Sequence, residues 1–188
     1  MGLNIYLYVN FRGIEPEQWE SAYQESVKLL NHFPVPLMRL AKENKHGHDC
    51  NVFTTDIFCE VGSGWEHWRF CGDMTSYRYA ESFQMYRHLD IVRGKNNGSK
   101  KDVLWAQENG IHYLEGNGSI IFNEKTQGYP YHLAVLAVAI LFESRFPENC
   151  YLNGDVDREQ VEYICRWCNK ILNTPVTLPV CMDGAKLY

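Results

Sequence analysis

Residues 129–146 read YPYHLAVLAVAILFESRF. Ten consecutive positions, Leu133 to Phe142, are apolar. That run is well short of the roughly 20 residues a bilayer crossing needs. It is also longer than a buried strand of about 4 to 8 residues. Ala134, Ala137 and Ala139 favour helix, and Pro130 suits a first helical turn. The stretch therefore predicts a helix that is apolar all round and packed on several sides. Glu143, Ser144 and Arg145 form its polar end, where Glu143 is expected to face outward, and Pro147 stops it. This helix defines a core around which the rest of the chain is arranged.

The chain has 188 residues, enough for one domain that buries about 70% of its unfolded surface. With 45% hydrophobic and 14% aromatic residues it is an ordered globular sequence. A formal charge of −5 and a pI near 5.8 exclude the basic footprint of a nucleic-acid binder and permit a basic protein partner. There are seven cysteines, at positions 50, 59, 71, 150, 165, 168 and 181. An odd count with no signal peptide ahead of it gives the expectation of reduced thiols and a cytoplasmic setting. No stretch reads as a membrane span.

Outward from the central helix, residues 3–9 (LNIYLYV) alternate as a strand. Glu15-Pro16-Glu17 opens a helix whose Trp19, Ala22, Tyr23, Val27 and Leu30 share a face. Residues 37–40 make a short strand, 42–49 (KENKHGHD) a polar loop and 51–61 another strand, with a glycine turn at 62–64. Residues 65–71 (WEHWRFC) read as a strand with Trp68 and Phe70 on one face. Residues 76–89 (SYRYAESFQMYRHL) read as a helix, with Tyr79, Phe83 and Tyr86 inside and Arg78, Glu81 and Arg87 outside. Residues 93–102 (RGKNNGSKKD) are the most loop-like segment and mark a possible lobe boundary. Residues 103–113 fit helix or strand. A turn at 116–118 precedes a strand at 119–123. Asp157 with Gln160 three positions on caps a last helix, 158–172, whose apolar stripe is Val161, Ile164, Cys168, Ile171 and Leu172. An extended tail follows. The pattern is a single α+β domain: a mostly antiparallel sheet with helices in the first half, then a helix-rich second half around the buried central helix.

No phosphate-loop, nucleophile-elbow, zincin or EF-hand pattern occurs. Cys165 and Cys168 form a C-x-x-C, but they lie inside a helix without a second ligand pair, so core packing outweighs a redox or zinc role. His46 and His48 flank a glycine in a polar loop, where solvation is the commoner fate. No cofactor or metal is implied. The densest constellation is Trp65, Glu66, Trp68, Arg69, Asp73, Arg78, Glu81 and Arg87. Exposed Trp, Tyr and Arg are the types that dominate interface energetics, so these eight are the candidate partner-binding residues. The bland alternative is aromatics in the core under a solvated charged rim. A catalytic alternative joins His67, Cys71 and Asp73 in a small hydrolase or transferase. His67 and Cys71 would stand about 13 Å apart along one straight strand, which counts against it.

The opening MGLNIYLYVN, the segment CGDMTSYRYAESF and the late YPYHLAVLAVAILFESRFPENCYLNGDVDREQVEYICRWCNKIL together resemble small uncharacterised bacterial proteins of the polymorphic-toxin immunity type. The resemblance spans most of the chain without a diagnostic motif. It implies a cytosolic inhibitor that binds a toxin domain and occludes it, and it carries over no active-site residue. The sequence thus leads to a protein-binding protein, with the small enzyme as the alternative.

Overall fold

The computed structural model describes residues 2–45, 47–61, 65–96, 101–107, 110–179 and 186–187. In chain order the elements are β1 (Ile5–Asn10), α1 (Pro16–Asn31), β2 (Leu37–Lys45), β3 (His48–Thr54), β4 (Phe58–Val61), β5 (Trp65–Asp73) and β6 (Arg78–Tyr86). They continue with α2 (Leu89–Asn96), β7 (Lys101–Gln107), β8 (Gly110–Phe122), α3 (His132–Arg145), β9 (Cys150–Gly154), α4 (Arg158–Ile171) and β10 (Lys186–Leu187). Helices combine with antiparallel sheets, so the fold class is α+β.

The central helix is α3, and it is buried on nearly every side from His132 to Glu143. It packs on α1, α4, β1 and β9. Leucine, valine and alanine on all faces suit that environment, because no face has to meet water. The outward expectation for Glu143 is corrected: its side chain is buried, and Oε2 accepts the Leu152 backbone N–H at 2.6 Å. A carboxylate there supplies an acceptor to β9 that an apolar residue would leave missing.

Helix α1 begins as expected, with Pro16 in its first turn and Glu15 exchanging bonds with Gln18 in a capping box. Trp19, Ala22, Tyr23, Ser26, Leu29 and Leu30 are its buried face. Helix α4 starts at the Asp157 cap, whose Oδ1 accepts from Gln160 N at 2.8 Å. The tail beyond α4 is extended. The Arg145 guanidinium donates to the Thr174 and Pro175 carbonyls and so straps it down.

One sheet has the order β10-β7-β8-β1-β9. The other has the order β3-β2-β5-β4, with β6 on the far side of β5. The two sheets meet through Phe122, whose ring packs on Trp68 and Phe83. One cluster of buried apolar residues extends from Ile5 to Val176.

Five sequence assignments change. Residues 78–86 form strand β6 rather than a helix, because they pair with β5 along its length and put Phe83 and Met85 opposite Phe70 and Trp68. Tyr79, assigned to a helical core stripe, is exposed in consequence. The polar stretch 42–49 is the end of the β2–β3 hairpin, in register from Arg39 opposite Thr54 to Lys45 opposite His48, with His46 outside the described residues. The span 51–61 is two strands, broken between Thr54 and Phe58. The turn expected at 116–118 lies inside the long strand β8, where Gly118 pairs with Asn10 and Lys101. Of the loop expected at 93–102, Arg93 to Asn96 complete α2, Lys101 and Asp102 begin β7, and 97–100 lie outside the described residues.

Candidate protein-docking surface

The constellation from Trp65 to Arg87 is a β-hairpin, β5 and β6, and its alternation separates the eight candidate residues. Trp68 is fully buried, and its indole N–H donates to Ser26 Oγ at 2.9 Å across to α1. Asp73 is also fully buried; Oδ1 accepts Ser76 N at 2.8 Å and Oδ2 accepts the Ser76 hydroxyl at 2.7 Å. These two are corrected from surface to structure, since one carries core packing and the other holds the β5–β6 turn. Glu66 and Arg87 are half-buried in an ion cluster. The Arg87 guanidinium pairs with Glu66 and, through Nε at 2.8 Å, with Glu20 on α1. Those two carboxylates push the arginine pKa up. Arg69, Arg78 and Glu81 are exposed. Arg69 donates to Ser82 Oγ, Arg78 lies 5.4 Å over the Tyr129 ring, and Glu81 accepts from Lys125 N. The Trp65 backbone opens β5, and its side chain lies outside the described residues.

The catalytic alternative does not assemble around a common cleft. His67 lines an open cleft of about 540 Å³ together with Tyr23, Asp56, Cys59 and Glu66, and neither Cys71 nor Asp73 reaches it. Cys71 is buried further along β5, where burial raises its thiol above the ordinary value. The residue opposite His67 in the β4–β5 ladder is Cys59, whose thiol is likewise raised by burial. A raised thiol stays protonated at neutral pH, the reverse of an activated nucleophile.

Cys165 and Cys168 are buried on the inner side of α4, with thiols pushed up to about 11 and about 12 by desolvation. His48 stands exposed on β3. Among the described residues no group of three or more His, Cys, Asp or Glu is placed to hold a metal ion.

What the structure does gather on the surface is a set of large apolar side chains. Leu40 of β2 and Phe53 of β3 are cross-strand partners, 44% and 37% exposed. The Phe53 ring lies 4.9 Å, centroid to centroid, from that of Tyr79 on β6, which is 57% exposed. Tyr77, 71% exposed, sits at the β5–β6 turn with φ +53°. A bulky residue in the left-handed region stores about 1–3 kcal/mol of strain and is held there by its surroundings. Here the Asp73–Ser76 bonds supply the hold, and Ser76 Oγ also accepts from Arg78 N. Gly72 lets the three strands converge beneath, since a Cβ there would come within 2.3 Å of the Arg78 carbonyl and 2.8 Å of Met38 Cε. The result is three exposed apolar residues from three strands, with a strained tyrosine at the adjoining turn. Isolated exposed apolar residues are ordinary on protein surfaces, whereas contiguous ones mark interaction sites.

Sequence reasoning missed Leu40, Phe53 and Tyr79. Alternation alone would group Tyr79 with Phe83 and Met85, and the register of the β5–β6 ladder shifts between Phe70 and Gly72, so the exposure of Tyr79 had no one-dimensional signal. No family model matches the chain, and no curated protein or solved structure matches it. No helix among the described residues is long and apolar enough to cross a membrane.

Proposed function

We propose that this chain is a protein-binding protein of the immunity type, which neutralises a toxin domain by seating on it and covering its active site. The observation that carries the binding half is the exposed Leu40–Phe53–Tyr79 cluster beside Tyr77. Aromatic anchors of this kind supply much of the affinity in protein interfaces. The toxin as the class of partner comes from the sequence resemblance. The net charge of −5 adds steering toward a basic partner, which raises the association rate and makes it salt-sensitive. The earlier candidates Arg69, Arg78 and Glu81 belong to this reading as exposed polar residues of β5 and β6.

The test is co-purification followed by a toxicity assay. Tagged wild-type protein and the Phe53→Ala/Tyr79→Ala double variant are used as bait in lysate of the native organism. A stoichiometric partner, retained by wild type and lost by the variant, is then expressed alone and with this chain. Growth arrest relieved only by co-expression supports the proposal. A partner that is not toxic, or whose toxicity persists with the chain bound, removes the immunity reading.

A further inference from the structure

Among the described residues, strand β3 ends its sheet and pairs with β2 alone. Its sequence, HDCNVFT, contains no Pro and no Lys, and its ladder to β2 shows no register shift. Those are the usual devices that blunt an exposed strand edge. Elsewhere in this sheet β6 is engaged on the side away from β5, where Glu81 N donates to Lys125 O and Lys125 N donates to the Glu81 carboxylate. Counting from Lys45 opposite His48 as the hydrogen-bonded pair that closes the hairpin, His48, Cys50, Val52 and Thr54 bond toward β2. The backbone N–H and C=O of Asp49, Asn51 and Phe53 therefore point away from the sheet. The side chains of these three share one face, and all three are exposed.

We propose that β3 is the docking edge for an extended strand of the protein partner, which adds antiparallel to it. This inference rests on the protein-binding reading above and specifies its mode. Two properties of the edge select the occupant. An outward row of backbone donors and acceptors is matched by another extended backbone. The side chains then set a pattern. Phe53, backed by Leu40 and Tyr79, asks for an apolar residue opposite. Asn51 asks for a polar one. Asp49, an acceptor already fixed by Asn44 Nδ2 at 3.1 Å, asks for a basic one. Read from its N-terminus, the incoming strand is apolar-x-polar-x-basic, and its basic residue complements a chain of net charge −5.

The probe is the capped peptide Thr-Val-Thr-Gln-Thr-Lys-Thr, titrated into isotopically labelled full-length protein and followed by amide NMR and hydrogen exchange. The expected result is shifts centred on residues 48–54, with exchange at Asp49, Asn51 and Phe53 slowed at least about tenfold at saturation. Asn51→Pro removes one outward N–H and leaves the β2 ladder its donors, so it should weaken binding at least about tenfold. Asp49→Lys should weaken the Lys peptide and restore binding to the same peptide carrying Glu in that place; this variant keeps the test open if the proline disturbs the fold. Shifts centred elsewhere, no binding at millimolar peptide, or a charge swap without effect would overturn the proposal. So would a dimer that Asn51→Pro dissolves, because the edge would then belong to a second copy. If a captured partner tolerates Asn51→Pro and Asp49→Lys but not Phe53→Ala/Tyr79→Ala, strand addition fails and the docking surface stands.

Discussion

Phe53 and Phe83 offer the same truncation in two settings, and comparing them separates a residue kept for binding from one kept for folding. Phe83 is fully buried, with its ring against those of Phe122 and Tyr131. Phe83→Ala removes a core side chain and leaves a cavity, at a cost of about 3–5 kcal/mol. Phe53 is 37% exposed, and among the described residues its ring pairs with Tyr79 at 4.9 Å. Its truncation forfeits mainly that ring pair, about 0.5–1.5 kcal/mol. For a domain of this size each kcal/mol moves Tm by about 2–4 °C, so Phe83→Ala should lower Tm by about 6–20 °C and Phe53→Ala by about 1–6 °C. Urea denaturation followed by tryptophan fluorescence gives the free energies, and calorimetry gives the midpoints. If Phe53→Ala costs as much as Phe83→Ala, Phe53 is a structural residue. The exposed cluster then loses its standing as a docking surface.

Three further outcomes follow from buried and paired groups. Burial lowers the His132 imidazole below its ordinary value of 6.5, and Asp155 and Asp157 partly offset that, while Nδ1 lies 2.6 Å from Thr126 Oγ1. A histidine with a depressed folded pKa is protonated more readily when unfolded, so its neutral-form stability is full above the unfolded value and declines as pH falls below it. The urea midpoint should therefore drop between about pH 7 and pH 5, and His132→Gln should flatten that part of the drop. Of the six cysteines in the described residues, Cys50, half-exposed on β3, should react first with iodoacetamide, whereas Cys165 and Cys168, raised to about 11 and about 12, should label only on unfolding; mass spectrometry of timed digests reads the order. Arg87→Met breaks two partly exposed ion pairs, with Glu20 and Glu66, and should cost about 1 kcal/mol in low salt, shrinking in about 1 M NaCl.

The parts of the fold visible in the sequence are those decided locally. Ten apolar residues between Pro130 and Pro147 can only be a buried helix at that length, and α3 is one. Glu15-Pro16 and Asp157 announce helix starts through their own backbone and side-chain chemistry, so α1 and α4 begin where expected. The failures are elements fixed by a distant partner. Residues 78–86 have aromatic spacing that suits either period, and it is β5, with Trp68 and Phe70 awaiting Met85 and Phe83, that makes them a strand. Lys42 to Asp49 is polar because it ends an exposed hairpin, a composition that also fits a loop.

The surface followed the same division. Residue types at 65–87 picked out one hairpin, and its two faces divide those residues between core and surface. Trp68 is large and aromatic, but it sits under α1, and Asp73 is a turn acceptor. The exposed cluster could not be assembled in one dimension, because Leu40, Phe53 and Tyr79 come from three strands.

The most direct test of the account is the affinity of a captured partner, titrated calorimetrically into wild type and into Phe53→Ala and Tyr79→Ala singly. Each variant should stay folded and lose about 2 kcal/mol of binding, a decrease of about thirtyfold. Affinities within about twofold of wild type for both folded variants would place the partner elsewhere and contradict the docking surface.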